Sequence, residues 1–420
     1  MFSRTALPDG PRVISSRMPG ARSLSVAVYV LAGSRLESPG QAGVAHFMEH
    51  VTFKGTRKFP TTSSLSQSIE GFGGSSNAAT DRESTVYWAR LPVREAERAF
   101  DVLAELIVRP LLRDADIARE RDIIVEEIRS YRDDAGQFVF NIFDRAFFGD
   151  TPLGWEIAGE EESVRALPES EIRDFWSSTY RPANTVVSVA GDIEHDAVVE
   201  LVARNFGTGN GVVPTFAAAP PVPCERFASE TRDLAQAHVC LGLPALRRDH
   251  PDQWTLELMN TILGEGSSSR LFQKVREDAG LAYDVHSFQT DYSDVGTLQV
   301  YAGVDPDDLT AAVDAILTEL RRLRDEPVAP DELERARAYA GGRMELRLEE
   351  TRHMAAWLGV QEALHDRVLT LDEALAELAN VTPEGIQTLA QELIRDELLT
   401  MAVIAPPRSA AGLERALRLN

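Results

Sequence analysis

The chain has 420 residues, 44% hydrophobic and 26% charged, with a formal net charge of −23. That length exceeds one ordinary core and predicts two domains. The acidic balance excludes nucleic acid as a partner, because like charges would repel. No apolar run approaches the roughly 18 residues of a membrane span. The N-terminus, MFSRTALPDGPRVISS, lacks the apolar centre of a secretory signal. Cytoplasmic localisation without membrane association is therefore expected, and Cys224 and Cys240 read as free thiols in a reducing compartment.

Residues 11–32 predict two strands joined by a turn at Pro19-Gly20, the second of them (LSVAVYVLAG) alternating and β-branched. A glycine-punctuated loop, SPGQAG, leads into a helix over about 43–54, with Gly55 as its stop. A second helix is expected near 63–71, and 77–91 reads as loop then strand. Helical periodicity covers 93–108 and 114–133, and 185–207 reads as strand, tight turn and helix. The Gly-, Pro- and Ala-rich stretch around 209–229 is the linker candidate.

After it the order of elements starts again. A strand over 237–244 precedes helices at 251–263 and 268–278, then a β-rich stretch at 282–304, helices over most of 306–395, and a last strand at 401–405. Leu65-Ser66-Gln67-Ser68-Ile69 followed by Gly74 resembles Leu271-Phe272-Gln273-Lys274-Val275 followed by Gly280. These features predict an α+β chain of two similar halves, each a mainly antiparallel sheet packed by helices, over 1–208 and 230–420.

The helix GVAHFMEHVTFKG carries the chemistry. Val44, Phe47, Met48 and Val51 recur at i, i+3, i+4 and i+7 and form one apolar stripe. His46, Glu49, His50 and Phe53 repeat that pattern two residues later, about 200° around the axis. Histidines at i and i+4 can close on one metal ion, and H-x-x-E-H is the inverted zincin signature. Zinc takes nitrogen and oxygen ligands, and a catalytic site needs a third protein ligand with one position left open. Glu49, on the same face, can act as a base without binding the metal. The helix beginning at Asp114 offers a third ligand. Glu120 and Glu127 are two turns apart on one face, and Glu126 points about 100° away. Spacing alone leaves the choice among the three open.

GVAHFMEHVTFKGT followed by ERDIIVEEIRSYRDD resembles the family of pitrilysin, insulin-degrading enzyme and mitochondrial processing peptidase. The family pattern is H-x-x-E-H and then a Glu after 76 intervening residues, which falls on Glu127. The resemblance implies one zinc ion per chain on His46, His50 and Glu127, with Glu49 as general base and Glu120, seven residues before the third ligand, in support. GGSSNAATDREST resembles the segment with the edge strand that pairs with substrate, so Asn77 and Ala78 are implied to bind it. SSSRLFQKVREDAGLAYDVHS resembles the substrate-binding region of the second half, where Arg276 and Tyr283 match an Arg and a Tyr that contact substrate and the reacting carbonyl. Thr151 departs from the family, which usually has His there, and WTLELMNTILGEG in the second half carries no His.

The resemblance implies a processing-peptidase-like metallohydrolase fold, with a zinc-binding half at 1–208 and a second half at 230–420 that contacts substrate. The expected activity is a zinc endopeptidase cutting unfolded peptides or extended protein segments inside a dimeric chamber. A homodimer is expected, and a heterodimer is compatible. The alternative is a non-catalytic or partner-dependent subunit of a heteromeric complex.

Overall fold

The computed structural model describes residues 2–209, 214–410 and 412–419. In chain order it forms β1 (Ser3–Ala6), β2 (Arg12–Arg17), β3 (Ser23–Val30), α1 (Val44–Thr52), α2 (Thr62–Glu70), β4 (Ser75–Thr80) and β5 (Thr85–Pro92). There follow α3 (Ala96–Val108), α4 (Asp114–Asp133), α5 (Ala135–Phe148), α6 (Glu161–Ala166), α7 (Glu169–Thr179), β6 (Thr185–Gly191) and α8 (His195–Phe206). The second run comprises β7 (Phe227–Thr231), β8 (Ala237–Ala245), α9 (Gln253–Gly264), a π-helical segment at Phe272–Asp278, β9 (Ala282–Asp291) and β10 (Gly296–Val304). The chain continues through α10 (Leu309–Asp325), α11 (Pro330–Leu348), α12 (Thr351–Leu364), α13 (Leu371–Asn380), α14 (Pro383–Leu393) and β11 (Thr400–Ala405).

Two compact units result. The first comprises 1–129, 156–217 and 345–370, and the second comprises 130–155, 218–344 and 371–420. The units therefore exchange segments relative to the expected halves at 1–208 and 230–420: α5 is built into the second unit and α12 into the first. Residues 210–213 of the expected 209–229 linker lie outside the described residues. Residues 214–226 carry no helix or strand, and β7 begins inside the expected linker.

The first unit holds a six-stranded sheet of order β1-β2-β6-β3-β5-β4, and the second a five-stranded sheet of order β7-β11-β8-β10-β9. The β2–β6 and β7–β11 pairs are parallel, and all other neighbours are antiparallel. Apart from β1, the sheets match strand for strand, with β4 and β9 as corresponding ends. The π-helical segment stands where α2 stands in the first sheet's run, as the Leu65 and Leu271 repeat implies. Strands β2 and β3, joined by the turn at Gly20 (φ 81°), are not paired with each other, because β6 runs between them.

Helices cover both faces of each sheet. In the first unit, Val26, Val28, Tyr87 and Val187 pack against α1, α3 and α4 residues such as Phe47, Phe100 and Ile124. On the other face Ile14, Ala27, Tyr29 and Val186 pack against Leu358 and Trp357 of α12. In the second unit, Val239, Leu241 and Val300 pack under α9, α10 and α14, and Phe143 and Phe147 of α5 cover Cys240, Tyr301 and Ala402. Cys240 is buried and Cys224 exposed, and both are free thiols. Among the described residues no helix is long and apolar enough to cross a membrane.

Candidate metal centre

The two faces of α1 behave as their residue types require. Val44, Phe47, Met48 and Val51 are at most 1% exposed, whereas His46, Glu49 and His50 keep partial access to solvent. Burying a Phe, Met or Val side chain stabilises by about 1.5–3 kcal/mol each. The apolar stripe thus fixes the rotation of the helix and, with it, the direction of the polar face. Antiparallel strands β4 and β5 bring Thr80 to this face, and α4 brings Glu120 and Glu127.

Within the first unit the two histidines and Glu127 converge. One donor atom from each of His46, His50 and Glu127 lies within 4.8 Å of the others, and among the described residues no other group of His, Cys, Asp and Glu does so. His46 Nε2 is 3.9 Å and His50 Nε2 3.2 Å from Glu127 carboxylate oxygens. A tetrahedral ion with bonds of 2.0–2.1 Å sets its ligand atoms about 3.4 Å apart, so these separations bracket the zinc requirement. Two imidazole nitrogens and a carboxylate oxygen are also the ligand types zinc accepts. Of the three glutamates, Glu126 turns to solvent and pairs with Arg129 at 2.7 Å. Glu120 is buried at 1% exposure. It lies behind His50 at 3.4 Å from Nδ1 and pairs with Lys54 at 2.7 Å.

The charge pattern follows from these contacts. Burial and the adjacent His50 push His46 down to about 4, so it is neutral at pH 7. Burial also acts to lower His50, but hydrogen bonding to Glu120 and Glu127 outweighs it and raises His50 to about 9. The hydrogen bond from His50 holds Glu127 below the usual carboxylate range. Burial acts to raise Glu120, but His50 and Lys54 outweigh it and hold it low. A histidine that ligates a metal must be neutral, so a metal ion at this site would displace the His50 proton.

Glu49 completes the face. Its carboxylate accepts a hydrogen bond from Thr80 Oγ1 at 2.6 Å, and burial raises its pKa above the usual carboxylate value, the direction a general base requires. Thr80 and Lys54 went unnoticed in the sequence. Thr80 shares a strand face with Ala78, two residues away, and Lys54 stands one helical turn after His50; those spacings are the signals that could have found them.

Asn77 is exposed and Ala78 half-buried on β4, the end strand of its sheet. In the second unit the Arg276 guanidinium lies 5.0 Å from the centre of the Tyr283 ring and 4.7 Å from that of Phe272, and Tyr283 is 78% exposed. The π-helical segment and the start of β9 thus bring Arg276 and Tyr283 together.

Comparison with known proteins defines the class. The family description "Insulinase (Peptidase family M16)" matches residues 12–161, and "Peptidase M16 inactive domain" matches residues 167–339. The chain is 35% identical to an uncharacterized zinc protease of Streptomyces coelicolor, over 96% of this chain and 89% of that protein. It is 32% identical to the uncharacterized zinc protease YmxG of Bacillus subtilis, over 97% and 98% of the two chains. The chain belongs to peptidase family M16. In fold it is similar to a protease from Helicobacter pylori, with a TM-score of 0.89 at 22% identity over 97% of this chain and 99% of the other. A structure described as a peptidase M16 inactive domain from Pseudomonas fluorescens gives a TM-score of 0.89 at 18% identity, over 96% and 98%.

Proposed function

We propose that the chain is a zinc endopeptidase that hydrolyses peptide bonds in unfolded peptides or extended protein segments. The observation that carries this reading is the convergence of His46, His50 and Glu127 beside a half-buried, hydrogen-bonded Glu49. His46, His50 and Glu127 would hold one zinc ion, and Glu120 orients His50 through Nδ1. When bound, the zinc ion supplies Lewis acidity, polarising a carbonyl oxygen and making water easier to deprotonate. Glu49 takes the proton from the attacking water and passes it to the leaving amine. Thr80 holds the Glu49 carboxylate during both transfers.

Substrate enters as an extended strand along β4 at Asn77 and Ala78, where main-chain pairing gives affinity with little sequence selectivity. Arg276 holds the substrate backbone and Tyr283 donates to the developing oxyanion. The working form is a homodimer in which each chain lends Arg276 and Tyr283 to its partner's zinc site. Location in the cytoplasm accords with the free thiols.

The test compares the wild type with Glu49→Gln, both zinc-loaded, on a panel of unstructured peptides. Cleavage by the wild type and none by a variant that still binds one zinc per chain is the expected result. Zinc binding without cleavage in both would overturn the endopeptidase reading and favour a partner-dependent subunit.

A further inference from the structure

Glycine at position 43 creates a problem at the start of α1. Gly43 is the N-cap residue, has φ 95° and makes no side-chain cap. A Cβ there would stand 2.7 Å from the carbonyl oxygen of Ala158 and 3.1 Å from Cα of Gly159. Both the left-handed backbone and the crossing chain therefore exclude Ser, Thr, Asp or Asn, the residues that ordinarily satisfy the first N–H groups of a helix. The metal-binding helix has to be capped from elsewhere.

Glu37 does this. Its carboxylate is 5% exposed and accepts from both ends of the gap, Oε2 from Gly43 N–H at 2.8 Å and Oε1 from Ala45 N–H at 2.8 Å. The two N–H donors and nearby Arg82 oppose the rise in pKa that burial imposes on this carboxyl group. The segment carrying Glu37 is tied in turn to the β4–β5 turn. Ser34 N–H donates to Asp81 O at 3.1 Å, Arg35 N–H to Arg82 O at 2.7 Å, and the Arg35 guanidinium to Glu83 at 2.7 Å. That turn begins one residue after Thr80, whose hydroxyl holds Glu49. The constraints close a ring: β4–β5 turn, residues 34–37, N-terminus of α1, Glu49, Thr80, and back to the turn.

We infer that Glu37 is a positioning residue that sets α1 against the β4–β5 turn and α4, so that Glu49 meets Thr80 and the two histidines meet Glu127. This rests on the zinc peptidase reading, but it concerns a residue that hydrogen-bonds to the helix backbone rather than to the metal donors or to Glu49. A glutamine at 37 offers one acceptor and turns an NH2 toward the second N–H, so the helix start must shift. Shifts of about 1 Å in reacting groups can cost on the order of 100-fold in rate.

The experiment measures three quantities on wild type, Glu37→Gln and Glu37→Asp: zinc affinity by competition with a chelating dye, kcat and KM on an unstructured peptide, and folding by far-UV circular dichroism. Both variants are expected to fold, to bind zinc at least tenfold more weakly, and to lose about 10–100-fold in kcat with KM within twofold when zinc-saturated. A folded variant with wild-type zinc affinity and wild-type kcat would overturn the inference. Failure of both variants to fold would overturn it too, by assigning Glu37 to folding alone. Zinc affinity is read without cleavage, so a wild type that binds zinc but cuts nothing defeats the functional reading while the affinity ratio still judges Glu37.

Discussion

Gly359, within α12, is the most demanding contact between that helix and the first unit's sheet. A Cβ added there would lie 2.3 Å from Tyr29 Cε2 and 2.9 Å from Ser188 Cβ, where ordinary contact is 3.4–4 Å. In Gly359→Ala the helix or the ring must retreat by about 1 Å, an overpacking that costs about 1–3 kcal/mol. The retreat also strains two hydrogen bonds into the same helix, from Tyr29 Oη to Ala356 O at 3.2 Å and from Ser188 Oγ to Ala355 O at 2.7 Å. Each is worth about 1 kcal/mol. Alanine gains about 1 kcal/mol in helix propensity. The sum is a loss of about 2–4 kcal/mol. Gly342, in α11, is the control, because a Cβ there meets nothing within 4 Å; Gly342→Ala should gain about 0.5–1 kcal/mol. Urea denaturation followed by circular dichroism, with hydrogen exchange at β3 and β6 amides, reads both. Equal stability of Gly359→Ala and the parent would refute the packing argument.

Two further predictions follow from buried charge. Half-buried Glu257 accepts from Gln289 Nε2 at 2.5 Å, and desolvation, reinforced by Glu265, pushes its pKa up to about 7. Its folded pKa lies above the unfolded value of about 4.3, so its contribution is full below that value and is lost as pH rises through about 7. Glu257→Gln should therefore gain on the parent by up to about 3 kcal/mol between pH 4 and 8; an unchanged difference in urea midpoint across that range would contradict this. The Arg35–Glu83 pair, 4% and 2% exposed, is buried on both sides. Arg35→Met removes the guanidinium that donates to the buried Glu83 carboxylate and should cost about 3–5 kcal/mol, while the double variant with Glu83→Gln should recover most of it. Additive losses in that cycle would reject the pairing.

Much of the site was legible because it depends on one helix. The 3.6-residue period alone separates Val44, Phe47, Met48 and Val51 from His46, Glu49 and His50, and the burial matches that division. The choice among Glu120, Glu126 and Glu127 was not legible from spacing, because it depends on which side of α4 meets α1. β4 was read as loop because SSNAAT is poor in β-branched and aromatic residues, and its strand form comes from pairing with β5. The exchange of α5 and α12 was hidden for a related reason. Helical periodicity reports that a face is apolar, never which sheet it covers. Glu37 escaped notice because a cap supplied from six residues upstream leaves no local pattern.

The placement of α12 bears on how the chain is made. The sheet face formed by Ile14, Ala27, Tyr29 and Val186 finds its cover in Leu358 and its neighbours. A ribosome must therefore add more than 160 residues after β6 before that face can close. Until then the nascent first unit presents an uncovered apolar sheet surface, on which chaperone binding competes with aggregation. A fragment ending at the linker would keep His46, His50 and Glu127 and still lack the helix that closes its own sheet.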